Sequence, residues 1–492
     1  MTLDRPRRLW LWLLAGTAAV ILLGGLYFMA GLNGVRALER HWRHSEAVSK
    51  AFNDYVSDSR WDDYQTADFV IEGQADRDPI ARYATQEYAK ELRAEAKRVD
   101  GVLAVDPGVR GLRRDMAAAL RSYADGLDES AKAPKVTPPI FEQRTNVTVA
   151  ALSQLDRWGL RPRTKEVTAH FAPDPTKAPV TPLLDEKTGV KLVTVSDRDL
   201  VTIDIDTGRV AAIWKDWDPD SYAFEAVRDW VAYKVAVTGR VWVPGNSLGT
   251  ELGLAERMLA GPNPDTVWLQ REEAGAGRSV PLAEVDREGR EQATAMSPGL
   301  PLGVTPSHVV SLVVVPGRSV RARMAVTERA TGREVRGFED ALPFSTHQHL
   351  VAWGGGLTDP LRANPTSLSV LDMATGQNRA VPPPDATSQP VAAVFSPDGR
   401  SLAVLWSQPG PTPTTRVAIH PLDTLQAPAF TATDAEMAAS NLVWAPSSER
   451  VFFILNPRDK ATDGFRIGTM RRSDNAVQRL RIKGAFRRLD TL

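Results

Sequence analysis

Residues 395–406 read FSPDGRSLAVLW, and residues 443–455 read VWAPSSERVFFIL. Both stretches place an aromatic residue, a small residue and a proline before a polar turn, and an apolar run of strand-forming residues follows. Pro397 and Pro446 lie 49 positions apart, and a degenerate third copy, VTPSHVVSLVVV at residues 304–315, lies about two such intervals earlier. Repetition at this interval is typical of proteins built from stacked supersecondary units.

Short apolar runs separated by turn residues recur throughout the C-terminal part of the chain. Seven candidate inner strands begin near Lys191, Trp230, Thr266, Val309, Leu350, Ser401 and Val451. Their average interval, in the forties, matches the four strands of one propeller blade. The sequence therefore predicts an all-β propeller at residues 186–492, with seven blades favoured and six or eight as the alternatives.

A second repeated feature is a strand followed by a turn that contains glycine. Gly208, Gly332 and Gly376 each follow a threonine at the end of an apolar run, and Gly289 is a weaker example. Glycine adopts the positive φ that tight hairpins require. These turns are therefore predicted to join the outer strands of the blades.

Tryptophan residues recur within the predicted blades. Buried aromatic side chains contribute much of the packing energy of a core, so we expect these residues to fill the space between blades, with stacking on a bound sugar as the alternative for one of them. The tryptophans concerned are Trp230, Trp242, Trp268, Trp353, Trp406 and Trp444.

The first of the quoted stretches resembles the hallmark repeat of the TolB-type, WD-repeat-like propellers. The matching residues are Phe395, Ser396, Pro397, Asp398, Gly399, Leu402 and Ala403, whereas the later copy keeps Trp444, Pro446 and Ser447 but has Ser448 and Glu449 in place of Asp-Gly. The resemblance implies a propeller located outside the cytoplasmic membrane of a bacterium, and it implies no reaction. Proteins with this repeat serve as interaction platforms, peptidase-associated domains or ligand binders.

The N-terminal part of the chain contains a long apolar stretch. Residues 9–31 carry no charge and are long enough, as a helix, to cross a hydrocarbon core of about 30 Å. Arg5, Arg7 and Arg8 precede this stretch, so the positive-inside rule places residues 1–8 in the cytoplasm and the bulk of the chain outside the cell membrane. A cleaved signal peptide is the alternative, but the stretch is longer than a signal's apolar region and lacks a clean small-x-small cleavage site.

Residues 33–165 are predicted to form an extracytoplasmic helical domain. Asp78-Pro79 and Asp106-Pro107 have the order of an N-cap and a first helical residue. An apolar stripe at three- and four-residue spacing follows the second pair, the anchor helix is expected to continue outward despite Ser45, and a fourth helix is predicted at residues 146–158. We expect a small bundle, with a dimerising stalk or a ligand sensor as alternatives. Residues 166–185 are a linker or a closing strand.

Composition excludes several classes of function. The sequence contains no cysteine, which excludes disulfides, thiolate metal sites, a cysteine nucleophile and a lipid-modified cysteine. Its 60 basic residues balance 60 acidic residues, whereas a nucleic-acid binder would carry a cationic excess. We therefore expect no nucleic-acid partner.

Three short motifs were tested as candidate sites. Residues 245–249 match the nucleophile pattern G-x-S-x-G around Ser247 and precede a possible helix at residues 252–259, but propeller strands surround them. Asp216, Asp218 and Asp220 resemble half of a calcium loop that lacks its glutamate. His347 and His349 have the spacing of two zinc ligands on one strand face, but no third ligand is near in sequence, and the remaining histidines are scattered.

No catalytic, cofactor-binding or metal-ligating residue is assigned from the sequence, and no cofactor is expected. We expect a single-pass protein, anchored in the lipid bilayer by residues 9–31, whose propeller is a non-catalytic binding platform in the bacterial cell envelope. Its partner would be an envelope protein or polymer. The alternatives are a hydrolase or lyase acting at the propeller funnel, and a small-ligand sensor that uses the helical domain.

Overall fold

The chain forms two compact units, one comprising residues 1–65 and 75–180 and the other comprising residues 66–74 and 181–492. The computed structural model describes residues 5–58, 69–71, 79–133, 150, 153, 157, 171–174, 177–195, 199–214, 222–235, 238–244, 249–273, 278–315, 321–357, 365–408, 414–425, 437–457, 464–484 and 486–492.

Within the described residues, the first unit contains three long helices, α1 (Arg5–Asp58), α2 (Pro79–Asp100) and α3 (Pro107–Lys132). The predicted N-cap of α3 is confirmed, because the Asp106 carboxylate accepts hydrogen bonds from the backbone N–H groups of Gly108 and Val109. Pro107 occupies the first helical position, where no intrahelical N–H is needed. The predicted helix at residues 146–158 lies largely outside the described residues.

The three helices share one apolar core, which extends along α1 only from Leu32 onward. It includes the stacked rings of Phe52 and Tyr88, with centroids 4.4 Å apart. The predicted stripe on α3 is buried, with Tyr123 partly so. Ser45 does not interrupt α1, because its buried hydroxyl donates to the His41 carbonyl oxygen one turn earlier.

The second unit consists of seven antiparallel sheets. Within each sheet, neighbouring strands pair in the following order. The first sheet contains β28 (Leu489–Thr491), β2 (Lys191–Val195), β3 (Leu200–Asp204) and β4 (Val210–Trp214), and the second contains β5 (Tyr222–Val227), β6 (Trp230–Val235), β7 (Arg240–Val243) and β8 (Thr250–Leu254). The third contains β9 (Arg257–Ala260), β10 (Thr266–Gln270), β11 (Val280–Asp286) and β12 (Glu291–Ser297).

The next two sheets are β13 (Leu300–Val304), β14 (His308–Val315), β15 (Arg321–Glu328) and β16 (Glu334–Glu339); and β17 (Ala341–His347), β18 (Leu350–Gly355), β19 (Ser367–Asp372) and β20 (Asn378–Val381). The last two are β21 (Gln389–Phe395), β22 (Ser401–Gln408) and β23 (Thr414–Pro421); and β24 (Met437–Trp444), β25 (Arg450–Pro457), β26 (Phe465–Arg471), β27 (Val477–Gly484) and β1 (Val70–Ile71). The sixth sheet has three strands within the described residues.

These sheets form a closed ring, because the first strand of each sheet contacts the first strand of the next. The contacts run from β28 to β5, β9, β13, β17, β21 and β24, and then back to β28. The first strands therefore surround the axis, and the prediction of a seven-bladed propeller is confirmed. Closure depends on β28, which pairs with β2 and so joins the C-terminal residues to the first blade.

The seven predicted strand starts correspond to the second strand of each blade, one place out from the axis. Lys191, Trp230, Thr266, Leu350 and Ser401 are the first residues of their strands, and the other two predictions differ by one position. The axial strands themselves were missed. Three of them contain a proline at a bulge against the second strand, which interrupts the alternating pattern that identifies a strand.

The predicted glycine turns are confirmed as the hairpins between the third and fourth strands of four blades. Gly208, Gly289, Gly332 and Gly376 all have positive φ, between 67° and 80°. At the fourth of these turns, the Gly376 N–H donates to the Asp372 carbonyl oxygen, and the Asp372 carboxylate accepts from the backbone N–H groups of Ala374 and Thr375. The turn is thus hydrogen-bonded within itself, as an Asx turn is.

One strand of the propeller, β1, lies in the sequence between helices α1 and α2. Val70 and Ile71 pair with Lys483 and Ile482 of β27, and nearby Phe69 is buried against Phe486. Pairing with β1 covers the outer edge of the last blade. The sequence-based division places these residues within the helical domain, because a two-residue strand is too short to produce a periodic pattern.

Tryptophan packing between blades is largely as predicted. Trp230, Trp268, Trp406 and Trp444 are buried, and Trp444 donates from Nε1 to the Val394 carbonyl oxygen of the preceding blade. The remaining two tryptophans, Trp242 and Trp353, are half-buried, and the Trp353 ring packs on Phe338 and donates to Asn378.

Candidate functional site

The FSPDG stretch joins two blades rather than forming an open site. Asp398 accepts hydrogen bonds from the Ser396 hydroxyl and from the Arg472 guanidinium of the next blade, at 2.6 Å each. The Ser448 hydroxyl, at the equivalent turn of that blade, accepts from the Asp398 N–H at 3.0 Å. Burial would raise the pKa of Asp398, but these hydrogen bonds and the Arg400 N–H lower it to about 2. The carboxylate therefore stays ionised and structural.

His347 and His349 do not form a shared ligand pair. His347 ends β17 and packs against Phe395 and the Gly399 turn of the neighbouring blade, where burial lowers its pKa. His349 lies in the following turn, after Gln348 at φ 51°, with its Nε2 atom 3.8 Å from Asp372. The left-handed residue between them ends the strand, so the expected common face is absent.

The other tested motifs are only partly described. Residues 245–248, including Ser247, and residues 215–221, including Asp216, Asp218 and Asp220, lie outside the described residues. The prediction of a possible helix at residues 252–259 was wrong, because these residues form the end of β8 and the start of β9. Blade pairing on both sides overrides the helical spacing of their apolar side chains.

A cluster of charged side chains lies on three adjacent axial strands. Glu225 is on β5, Asp490 is on β28 with Arg488 just before it, and Arg257 begins β9. The Glu225 carboxylate accepts from Arg488 at 3.1 Å, and the Arg488 guanidinium lies over the Phe224 ring at 4.7 Å. We call these four ionisable residues, Glu225, Arg257, Arg488 and Asp490, the axial cluster.

Both carboxylates of the axial cluster also bind backbone groups of the next axial strand. Asp490 accepts from the Ala226 N–H on β5, and Glu225 accepts from the Ala260 N–H on β9. Axial strands have no neighbour on their inner edge, so their N–H groups there need other acceptors. The cluster thereby links three blades, and it keeps partial contact with solvent, mainly through Arg488: the side chains of Glu225 and Arg488 are 16% and 44% exposed.

The environment of the axial cluster shifts its protonation equilibria. Burial raises the pKa of Glu225 to about 7, with Asp490 adding to the shift and Arg488 opposing it. Burial likewise raises the pKa of Asp490. The pKa of Arg257 is lowered by burial and by the neighbouring Arg488. Carboxylates with raised pKa values beside arginines are typical of sites that bind or transfer protons and polar ligands.

Sequence reasoning missed the axial cluster because it missed the axial strands. One signal for an axial strand was available in the sequence. The short alternating run YAFEAV contains the charged Glu225 and comes directly before the strand predicted at Trp230. The other carboxylate comes from the far end of the chain, next to Leu489, so no local spacing relates it to the first. Only closure of the ring brings Glu225 and Asp490 together.

A second ionisable cluster lies in the helical unit, between α1 and α2. The buried Glu95 carboxylate has His41 Nδ1 at 2.7 Å on one oxygen and Arg98 on the other. His44 Nε2 faces Glu91 and Glu95 at 3.9 and 3.8 Å, a grouping with the spacing of three metal ligands. In the sequence these histidines look isolated, because their glutamate partners lie on a different helix about 50 residues further along the chain.

Arg98 already supplies a cation to this helical cluster. Its guanidinium donates to the same two carboxylate oxygens that His44 faces, Oε1 of Glu91 and Oε2 of Glu95. A metal ion would have to displace it. The arrangement is therefore an ion-pair network that neutralises a buried glutamate, and the ligand-sensor alternative stays a prediction.

Comparisons with known proteins do not identify a family for this chain. No protein-family model matches the chain, and no curated protein matches it. Solved structures similar to it include an oligogalacturonate lyase in complex with manganese, at 13% identity and a TM-score of 0.41, covering 60% of this chain and 86% of that one. A putative TolB from Agrobacterium tumefaciens has 13% identity and a TM-score of 0.34, covering 60% and 90%.

A lignostilbene dioxygenase from Pseudomonas brassicacearum is also similar, at 12% identity and a TM-score of 0.42, covering 64% of this chain and 93% of that one. These proteins are described by different activities, and no assignment of function rests on them. The propeller itself is established by the strand pairing and ring closure of the chain.

Proposed function

We propose that this chain is a membrane-anchored propeller that binds an envelope protein or polymer at the axial cluster. The main support for this proposal is that the axial cluster brings charged groups of both signs together at the axis. Its two carboxyl groups belong to Glu225 and Asp490, and its two guanidinium groups belong to Arg257 and Arg488. Partial exposure of Glu225 and Arg488 leaves donors and acceptors within reach of a ligand. A partner carrying both charged and hydrogen-bonding groups fits this chemistry.

Anchoring in the membrane is the second part of the proposal. Within the described residues, α1 is the one helix long and apolar enough to cross a bilayer, and its side chains from Leu9 to Met29 are largely exposed. The arginines at positions 5, 7 and 8 favour a cytoplasmic N-terminus and an extracytoplasmic propeller. Reporter fusions after Leu492 test this orientation: a phosphatase active only outside the cytoplasm should be active, and a purely cytosolic signal would contradict it.

Site-specific photocrosslinking in intact cells tests the binding proposal. A photoreactive amino acid at Ala223, an exposed residue of β5 two positions before Glu225, should give a discrete crosslinked species. The same group at Val335, which is 40% exposed on the outermost strand β16, is the matched control. Equal crosslinking at both positions, or none at Ala223, would contradict binding at the axis.

The second candidate function is a hydrolase or lyase acting at the same place. The observation that favours it is the pKa of about 7 for Glu225, which suits a group that gains and loses a proton near neutral pH. Under this alternative, the Glu225→Gln variant would bind the partner identified by crosslinking but leave it unmodified, as mass spectrometry of that partner would show. Unchanged partner after incubation with the unsubstituted protein would exclude the enzymatic role for that partner.

A further inference from the structure

The loop between α2 and α3, residues 101–106, lies beside α1 where the exposed apolar surface of that helix ends. A Cβ atom at Gly34 would lie 3.0 Å from the Leu103 carbonyl oxygen and 3.1 Å from the Val109 side chain, so the loop and α3 contact the α1 backbone there. The Tyr27 hydroxyl donates to Asp106 at 3.4 Å. These contacts place the loop level with residues 27–34 of α1.

This loop presents an apolar side chain to the surroundings. Leu103 is 74% exposed, a larger fraction than most leucines of the α1 apolar stretch, whereas Val102 is buried beneath it. The loop sequence from 102 to 105, VLAV, contains no polar side chain. Leu103 therefore adds to the apolar surface of α1 at the level where the bundle begins.

Arginine side chains surround the same end of the bundle. Arg36 on α1 and Arg110 and Arg114 on α3 are exposed, and Arg113 donates to the Val102 carbonyl oxygen at 3.0 Å. Arginine near the end of a membrane helix extends its guanidinium to the phosphate layer. An apolar tip flanked by arginines is the pattern of a segment that rests in the bilayer interface.

We propose that the α2–α3 loop inserts Leu103 into the bilayer leaflet from which α1 emerges, with the flanking arginines at the phosphate groups. This proposal rests on the proposed anchoring of residues 9–31. The helical bundle then contacts the lipid surface at a second point, beside α1, and its orientation to the membrane is constrained. The occupant of this apolar surface is phospholipid, because the surface is continuous with the helix proposed to cross it.

Absence of cysteine in the sequence permits a direct test with single labelled cysteines. The full chain in lipid nanodiscs would carry an environment-sensitive fluorophore on Leu103→Cys. We expect blue-shifted emission and quenching by lipids that carry a nitroxide near the headgroup end of the acyl chain. Lys132→Cys is the matched control: it is an exposed site at the other end of α3, a 26-residue helix about 39 Å long, and should be neither shifted nor quenched.

Ile21→Cys, within the apolar stretch, separates failure of this inference from failure of the anchor. Quenching at Ile21→Cys with a water-like signal at Leu103→Cys would overturn the loop insertion and leave the anchor intact. Water-like signals at both positions would overturn the anchor as well. Because Leu103 is largely exposed, its substitution should leave the helical circular dichroism unchanged, and that spectrum checks that the variant is folded.

Discussion

Glu225 provides a sharp test of the axial cluster through the pH dependence of stability. Its pKa rises from a reference value of 4.5 to about 7 in the fold, chiefly through burial. At a pH between these two pKa values, Glu225 therefore keeps its proton in the folded state and has lost it in the unfolded state. Stability from this group is greatest below the unfolded pKa and declines as the pH rises through the folded pKa.

The expected size follows from the shift. At about 1.4 kcal/mol per pKa unit, the shift corresponds to at most about 3–4 kcal/mol in the free energy of unfolding. The carboxyl groups of Glu225 and Asp490 titrate together, so part of the change belongs to the pair and we expect about 1–3 kcal/mol for Glu225 alone. The Glu225→Gln variant keeps an oxygen for the Ala260 N–H but cannot ionise.

The assay is urea unfolding of the detergent-solubilised full chain at pH 4 and pH 8, followed by tryptophan fluorescence. We expect Glu225→Gln to match the unsubstituted protein at pH 4, below the unfolded pKa, and to be more stable by about 1–3 kcal/mol at pH 8. Glu256→Gln, at an exposed carboxylate between β8 and β9, is the matched control and should track the unsubstituted protein. The same difference at both pH values for Glu225→Gln would refute the raised pKa.

Three further results are expected. Asp398→Asn should lower the free energy of unfolding by about 1–2 kcal/mol at pH 7 and by less near pH 2, because a carboxyl group with a lowered pKa stabilises the fold above about pH 4. Urea unfolding at a series of pH values measures this difference. Gly299→Ala should lower the free energy of unfolding by about 1–3 kcal/mol, because the added Cβ atom would lie 2.5 Å from a carbonyl oxygen of β14. Gly111→Ala is the control, because its Cβ atom would lie in open space on α3 and should not destabilise the protein. The melting temperatures of the two variants make the comparison. Arg98→Met should cost about 3 kcal/mol by leaving the buried Glu95 carboxylate without its guanidinium, measured as loss of helical signal on heating; no change would contradict the ion-pair assignment.

The sequence predicted the propeller because packing and turn formation are repeated locally. Trp230 and Trp444 occur at the starts or ends of blade strands, and Gly208 and Gly376 supply the positive φ of outer hairpins. Each of these signals lies within one blade and recurs in other blades, so the periodicity of the sequence alone reveals the repeat. The number of blades followed from the interval between successive predicted strands.

The candidate site could not be predicted in the same way. Glu225 and Asp490 meet only when β28 enters the first blade, and His41 and Glu95 meet only when two helices pack. Both pairings depend on contacts between segments far apart in the sequence, for which a single chain offers no local pattern. Axial strands such as β13 are also hidden, because Pro301 and a bulge break their alternation.

Pairing of β28 with β2 has a consequence for how the protein folds during synthesis. Leu192 and Thr491 are partners in this pairing, so the first blade lacks its axial strand until the ribosome has also made all the residues that separate β2 from β28. Until then Val193 and its neighbours expose an unpaired edge that other chains could join. Forming a contact across so many residues is slow, so we expect that edge to be where a chaperone binds the nascent polypeptide.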